Sequence, residues 1–142
     1  MTQYIKHSKS SNTSASLGWH IKDGGRSCPP PSPVQHVVDG IPFRDGEVDI
    51  DLALGLKPTY PMRELSYVLF QQFGTEAAAR SGMDALTSWL ASCRGAELTD
   101  TCGGCVFTNV SLTAMKVTTD DPTIKKVEVT LKANPYRKDG SL

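Results

Sequence analysis

The chain has 142 residues, room for one domain with a hydrophobic core of its own and too few for two of ordinary size. Apolar residues at 39% and charged residues at 21% exclude the disordered class, while the polar balance predicts that part of the chain folds only against neighbours. Fifteen basic residues against fifteen acidic ones leave no summed positive field to release counterions, which removes direct sequence-specific nucleic-acid binding from the leading functions.

Residues 1–16 read as a flexible N-terminal arm, rich in Ser, Thr and Lys and without an apolar signal core. No stretch approaches the roughly 20 apolar residues that cross a bilayer, so no membrane partner is expected. Synthesis in the cytoplasm would keep Cys28, Cys93, Cys102 and Cys105 reduced. Residues 17–142 form a single domain. Its first apolar beat, Leu17-Gly18-Trp19-His20-Ile21, suits a strand docked on the main body, with Trp19 buried. The run Cys28-Pro29-Pro30-Pro31-Ser32-Pro33 follows as an extended strut, because proline fixes φ and removes the backbone donor.

Val34 to Val38 is a short β-like run leading into a loop with Phe43-Arg44-Asp45-Gly46-Glu47, where Asp-Gly marks a turn within a long hairpin. Arg63 to Phe73 alternates, Leu65, Tyr67, Leu69 and Phe73 against Glu64, Ser66, Val68 and Phe70, and apolar groups on both faces predict a strand covered on both sides. Thr75 to Cys93 is the one strong helix, since Ala79, Met83, Leu86, Leu90 and Cys93 recur at helical spacing. Thr75 suits the N-cap and Gly95 the left-handed closing position, while Gly82 weakens the middle by about 1 kcal/mol. Val106 to Val117 and Lys126 to Ala133 return to period two, joined by a turn at Asp120-Asp121-Pro122-Thr123 and ended by Asn134-Pro135. The order is β, β, helix, β, β.

Cys102-Gly103-Gly104-Cys105 has the spacing of half a zinc site or a dithiol pair. A structural zinc site needs two more ligands, and Cys28, Cys93, His7, His20 and His36 supply no second paired spacing. A Gly-Gly hairpin turn flanked by small thiols accounts for the motif more simply. Asp49 and Asp51 share a strand face but have no further acidic residues in a loop around them, and Gly24-Gly25 lacks a phosphate-loop context. With no nucleophile elbow and isolated histidines, no active site assembles: the expectation is a non-enzyme without cofactor or metal.

Taken in order, Pro29 to Pro33, Val34 to Asp39, Phe43-Arg44-Asp45-Gly46, the Asp49-Ile50-Asp51-Leu52 step, Arg63-Glu64-Leu65-Ser66-Tyr67, Trp89-Leu90, Cys93-Arg94-Gly95 and Val127 to Lys138 form a recognisable series. From about Leu17 to Lys138 it resembles the N-terminal domain of the siphophage distal tail protein family. Phe43 stands where that family's turn carries a first glycine. The resemblance implies an α+β, mainly β, tail-tube-like fold: a β-sandwich or barrel with one packed helix. It further implies a structural virion protein at the distal end of a bacteriophage tail, a homo-oligomer forming a six-membered ring between the tail-tube protein and the tail-tip or baseplate hub protein. Larger members carry a second, C-terminal domain, and a chain ending soon after Pro135-Tyr136 is expected to be the ring domain alone.

On that reading the inter-subunit interface is expected to include Val38, Phe43, Arg44, Asp45, Gly46, Asp49, Arg63, Pro135 and Tyr136. The segment Val34 to Leu56 would reach the adjacent subunit, and a sheet edge near Lys126 to Asn134 would face the ring's interior or its neighbour. A tail-tube or tail-terminator subunit is the alternative within the same class. A small zinc- or thiol-containing protein built on Cys102 and Cys105 is the alternative outside it.

Overall fold

A computed structural model of the chain describes residues 3–33 and 59–142 and, within the intervening stretch, residues 37–38 and 48–49. The elements are β1 (Ile5–His7), β2 (His20–Ser27), β3 (Val37–Val38), β4 (Val48–Asp49), β5 (Arg63–Gln72), α1 (Glu76–Ala91), β6 (Ala96–Asp100), β7 (Cys105–Asp121) and β8 (Ile124–Ala133). Six of the strands form one sheet in the order β1-β6-β7-β8-β5-β2, antiparallel throughout, and β3 pairs with β4 apart from it.

Alternation decides which face is inside. On β5, Arg63, Leu65, Tyr67 and Leu69 are buried; on β8, so are Val127, Val129, Leu131 and Ala133. β7 is less regular. Its inward residues run Cys105, Phe107, then Val110 and Leu112, then Met115, because Asn109 at φ 51° and register shifts against both neighbours each displace the period. Such bulges bend a strand and increase its twist. The sheet curls so far that Arg26 on β2 meets Asp100 on β6, although three strands lie between them in the sheet order. The product is a half-barrel.

The helix fills the concave side. Thr75 caps it, its Oγ1 accepting the Ala78 N–H at 3.1 Å, Glu76 complements the first turn, and Ala79, Leu86, Trp89 and Leu90 are buried. Gly82 does not interrupt it. A Cβ there would stand 2.3 Å from the Phe73 ring, so glycine is what lets Phe73 lie against the helix, edge-on to Trp19 at 5.8 Å. The helix ends at Ala91 with Ser92 as its C-cap, earlier than expected, so Gly95 at φ 76° does not close the helix but ends the turn that leads into β6.

Four expectations are corrected. From Gln3 onwards the supposed arm belongs to the body: β1 pairs with β6, Ile5 and Ser14 are fully buried, and each donates its N–H to the other, Ile5 to Ser14 Oγ and Ser14 to Ile5 O. Its serines and threonines satisfy local backbone groups, as with Thr13 and Ser16, rather than solvate a coil. β5 is not covered on both sides, since Glu64 and Phe70 are exposed. β8 is the interior of the sheet, hydrogen-bonded to β7 and β5, so the segment 126–134 is no edge. The short strand β6 adds an element that the helix–strand alternation alone does not separate from the helix end.

Candidate functional site

The polar centre of the molecule lies where the two limbs of the half-barrel meet. Asp100 closes β6 with its carboxylate fully buried. Oδ2 accepts from Arg26 Nε at 2.6 Å and from the Tyr67 hydroxyl at 2.8 Å, and Oδ1 accepts the backbone N–H groups of Cys102 at 2.8 Å and Gly103 at 3.3 Å. Both oxygens are saturated, the condition under which a buried charge is tolerated. Burial, reinforced by the negative charge of Asp100, holds the Tyr67 phenol far above its ordinary range. Cys28 Sγ lies 3.4 Å from the Tyr67 oxygen, and burial pushes its thiol up as well.

A second cation continues the cluster. Arg63 Nη2 donates to the carbonyls of Cys28 at 3.1 Å and Pro29 at 3.0 Å, Nη1 reaches Pro135 O at 3.4 Å, and the guanidinium stands 4.9 Å over the Phe107 ring. Arg63 therefore pins the start of the proline strut to the sheet. With Asp100 engaged on both oxygens by groups from β2, β5 and the turn after β6, the arrangement fastens these elements together as a clasp.

The expected site residues fall in several places. Arg63, expected at the subunit interface, is 1% exposed and serves its own chain's carbonyls; it is an interior residue of the subunit. Pro135 is half-buried against it, and Tyr136 is 46% exposed, packed edge-on to Tyr60 at 5.9 Å. Val38 pairs with Val48 and Asp49 with Val37, so these two lie on one small hairpin. Phe43, Arg44, Asp45 and Gly46, with His36 and Asp51, lie outside the described residues. Cys102 is half-buried and Cys105 buried at the ends of the turn between β6 and β7, both as free thiols. Among the described residues, no group of three or more His, Cys, Asp or Glu side chains is arranged to hold a metal ion, and no helix is long and apolar enough to cross a membrane.

Arg26, Asp100 and Tyr67 were not legible as a unit. The only local trace is Asp100 two residues ahead of the turn, where its side chain accepts successive N–H groups.

The second feature is an edge. β6 follows β7 only as far as Val110; from Ser111 to Asp121, β7 pairs with β8 on one side and, among the described residues, with no strand on the other. Val117 and Ile124, near the tip of this hairpin, are 45% and 42% exposed. A long open edge with apolar side chains beside it is a pairing template.

A curled, mainly β half-barrel with one helix on its concave side is the fold of siphophage distal tail proteins. The crystal structure of SPP1 Dit (gp 19.1), presented as a paradigm of the hub adsorption apparatus of phages infecting Gram-positive bacteria, matches with a TM-score of 0.71. The match covers 99% of this chain and 51% of that one, at 14% sequence identity. The likeness is thus one of fold, and the chain spans about half the length of that protein. No protein-family profile and no curated protein sequence matches the chain.

Proposed function

We propose that this chain is a structural subunit of a bacteriophage tail, forming a closed ring at its distal end that joins the tail tube to the tail tip or baseplate hub. The observation that carries the reading is the agreement of fold with SPP1 Dit along essentially the whole chain. The open edge of β7 supports it, because a ring subunit needs an unpaired edge to offer a second copy. The ring is six-membered on this reading, its other contacts are the tail-tube and hub proteins, and its place is the virion. The role is architectural, without catalysis or cofactor, and the body from Gln3 onwards acts as one ring-forming unit. The β3–β4 hairpin carrying Val38 and Asp49, together with exposed Tyr136, is assigned to contacts between subunits.

Cryo-electron microscopy of intact virions tests the assignment. One closed ring between tube and tip is the expected result. Density repeated along the tube would make the chain a tube subunit, a ring at the opposite end a terminator, and absence from virions would overturn the structural reading.

A further inference from the structure

Three of the four cysteines converge on one ion pair. Cys105 Sγ lies 3.9 Å from Arg26 Nη2 and Cys28 Sγ lies 4.0 Å from Asp100 Oδ2, while Cys102 meets the same carboxylate through its backbone N–H, which donates to Asp100 Oδ1 at 2.8 Å. Cys93, buried beyond the helix end, stands apart from this set.

Cys102 and Cys105 are distinguished from Cys28 by covalent geometry. They sit three residues apart where the chain reverses between Asp100 and its ladder partner Cys105, with Cys102 inside the turn and Cys105 opening β7, and residues three apart in a tight turn come within about 7 Å between Cα atoms. A disulfide spans Cα separations of roughly 4.4–6.8 Å. The glycines between them are required by their surroundings. At Gly103 a Cβ would stand 2.2 Å from Arg26 Nη2 and 3.3 Å from Cys105 Sγ, and Gly104 adopts φ 62°. The two glycines thus add no side chain of their own to the turn, and the Arg26 guanidinium packs against it at Gly103.

We propose that Cys102 and Cys105 form a dithiol site that closes to a disulfide by exchange with a small-molecule disulfide such as oxidised glutathione. Cys102, the more exposed of the two, attacks first as the thiolate, its proton passing to solvent. One glutathione sulfur bonds to Cys102 and the other leaves as a thiolate. Cys105 then attacks the Cys102 sulfur as its thiolate, its proton passing to solvent, and expels the second glutathione thiolate. Two protein thiols are oxidised, and one glutathione disulfide is reduced to two molecules of glutathione. Burial and the charge of Asp100 push the Cys102 thiol up, so exchange is slow at neutral pH and quickens as pH rises. That behaviour belongs to a structural disulfide formed under sustained oxidation. Closure shifts Cys102, whose backbone N–H is held by Asp100, and Cys105, whose sulfur lies beside Arg26, which couples the redox state of the turn to the clasp.

The test is equilibration of the whole folded chain in oxidised and in reduced glutathione, followed by alkylation, trypsin digestion and mass spectrometry. The fragment 95–116 contains both cysteines, whereas Cys28 lies in 27–44 and Cys93 in 81–94. The expected result is the loss of two hydrogens within fragment 95–116, reversed in reduced glutathione, retained in Cys28→Ser and abolished in Cys102→Ser. Fragment 95–116 joined to 27–44, a glutathione adduct that never resolves, or free thiols throughout would each overturn the proposal. Mapping on the unaltered chain decides the matter even if a variant fails to fold.

Discussion

Replacing Asp100 by alanine tests the clasp. The substitution strips the Tyr67 hydroxyl of its acceptor in a fully buried setting, and an unsatisfied buried donor costs about 1–3 kcal/mol. It also breaks the ion pair with Arg26. Arg26 retains 29% of its side-chain exposure and can turn to water, so about 1–2 kcal/mol is expected in place of the 3–5 kcal/mol of a pair sealed on both sides. The N–H groups of Cys102 and Gly103 rehydrate in an accessible turn and add little. The total is about 2–5 kcal/mol, a large share of the roughly 5–15 kcal/mol that holds a domain of this size, and should lower the thermal midpoint by roughly 10 °C. Urea unfolding of Asp100→Ala, Arg26→Ala and the double variant measures it, with a coupling energy of about 1.5–3 kcal/mol expected for the charged hydrogen bond. A cost below about 1 kcal/mol for Asp100→Ala, or two additive single changes, would refute the account of the clasp.

Three further outcomes follow from the same structure. His7 is buried with Nε2 bonded to the Trp89 carbonyl at 2.9 Å and Nδ1 accepting the Lys9 N–H at 3.3 Å, and burial lowers its pKa from 6.5 despite the hydrogen bond to Trp89. Its folded state therefore binds fewer protons than its unfolded state below that value: the stability it contributes is complete above pH 6.5 and is lost as pH falls below it, with a slope of at most about 1.4 kcal/mol per pH unit. A His7→Gln chain that keeps the wild-type slope between pH 5 and pH 6.5 would sink this assignment. Thr75→Ala should cost about 1 kcal/mol through the lost N-cap, and Thr75→Ser should restore most of it, both read from thermal melts. Val117→Lys, at a site 45% exposed, should change monomer stability by no more than about 0.5 kcal/mol yet reduce ring formation in light scattering, because a lysine beside an open strand edge blocks pairing. An unchanged ring would remove the β7 edge from the interface.

Much of the local structure was legible because local structure is written in periods. The spacing of Ala79, Leu86 and Leu90 behind the Thr75 cap identifies the helix, though it ends at Ala91 with Ser92 as its C-cap and not at Gly95, and the alternation of Val127, Val129 and Leu131 identifies β8 with the correct inner face. Trp19 is buried, and the Leu17 to Ile21 beat leads into a docked strand, as its apolar residues indicate. β1 escapes the same reasoning: three residues are too few to show a period, and the serines around them resemble a solvated arm until Ser14 is seen closing on Ile5.

Other features have no local signal at all. Arg63 opens a strand and reads as a surface charge, yet lies inside because the carbonyls of Cys28, Pro29 and Pro135 come to it from distant parts of the chain. Arg26 and Asp100, 74 residues apart, meet only because the bulges of β7 curl the sheet until its limbs close. The sequence by itself determined the helix, the inward face of β8 and the turn at Cys102 to Cys105, since each depends on bond geometry and burial within a few residues. Tertiary structure alone decided which charges are interior, which thiols share a partner and which edge is left open. Those outcomes depend on how small twists accumulate across six strands, a sum that no short window of residues contains.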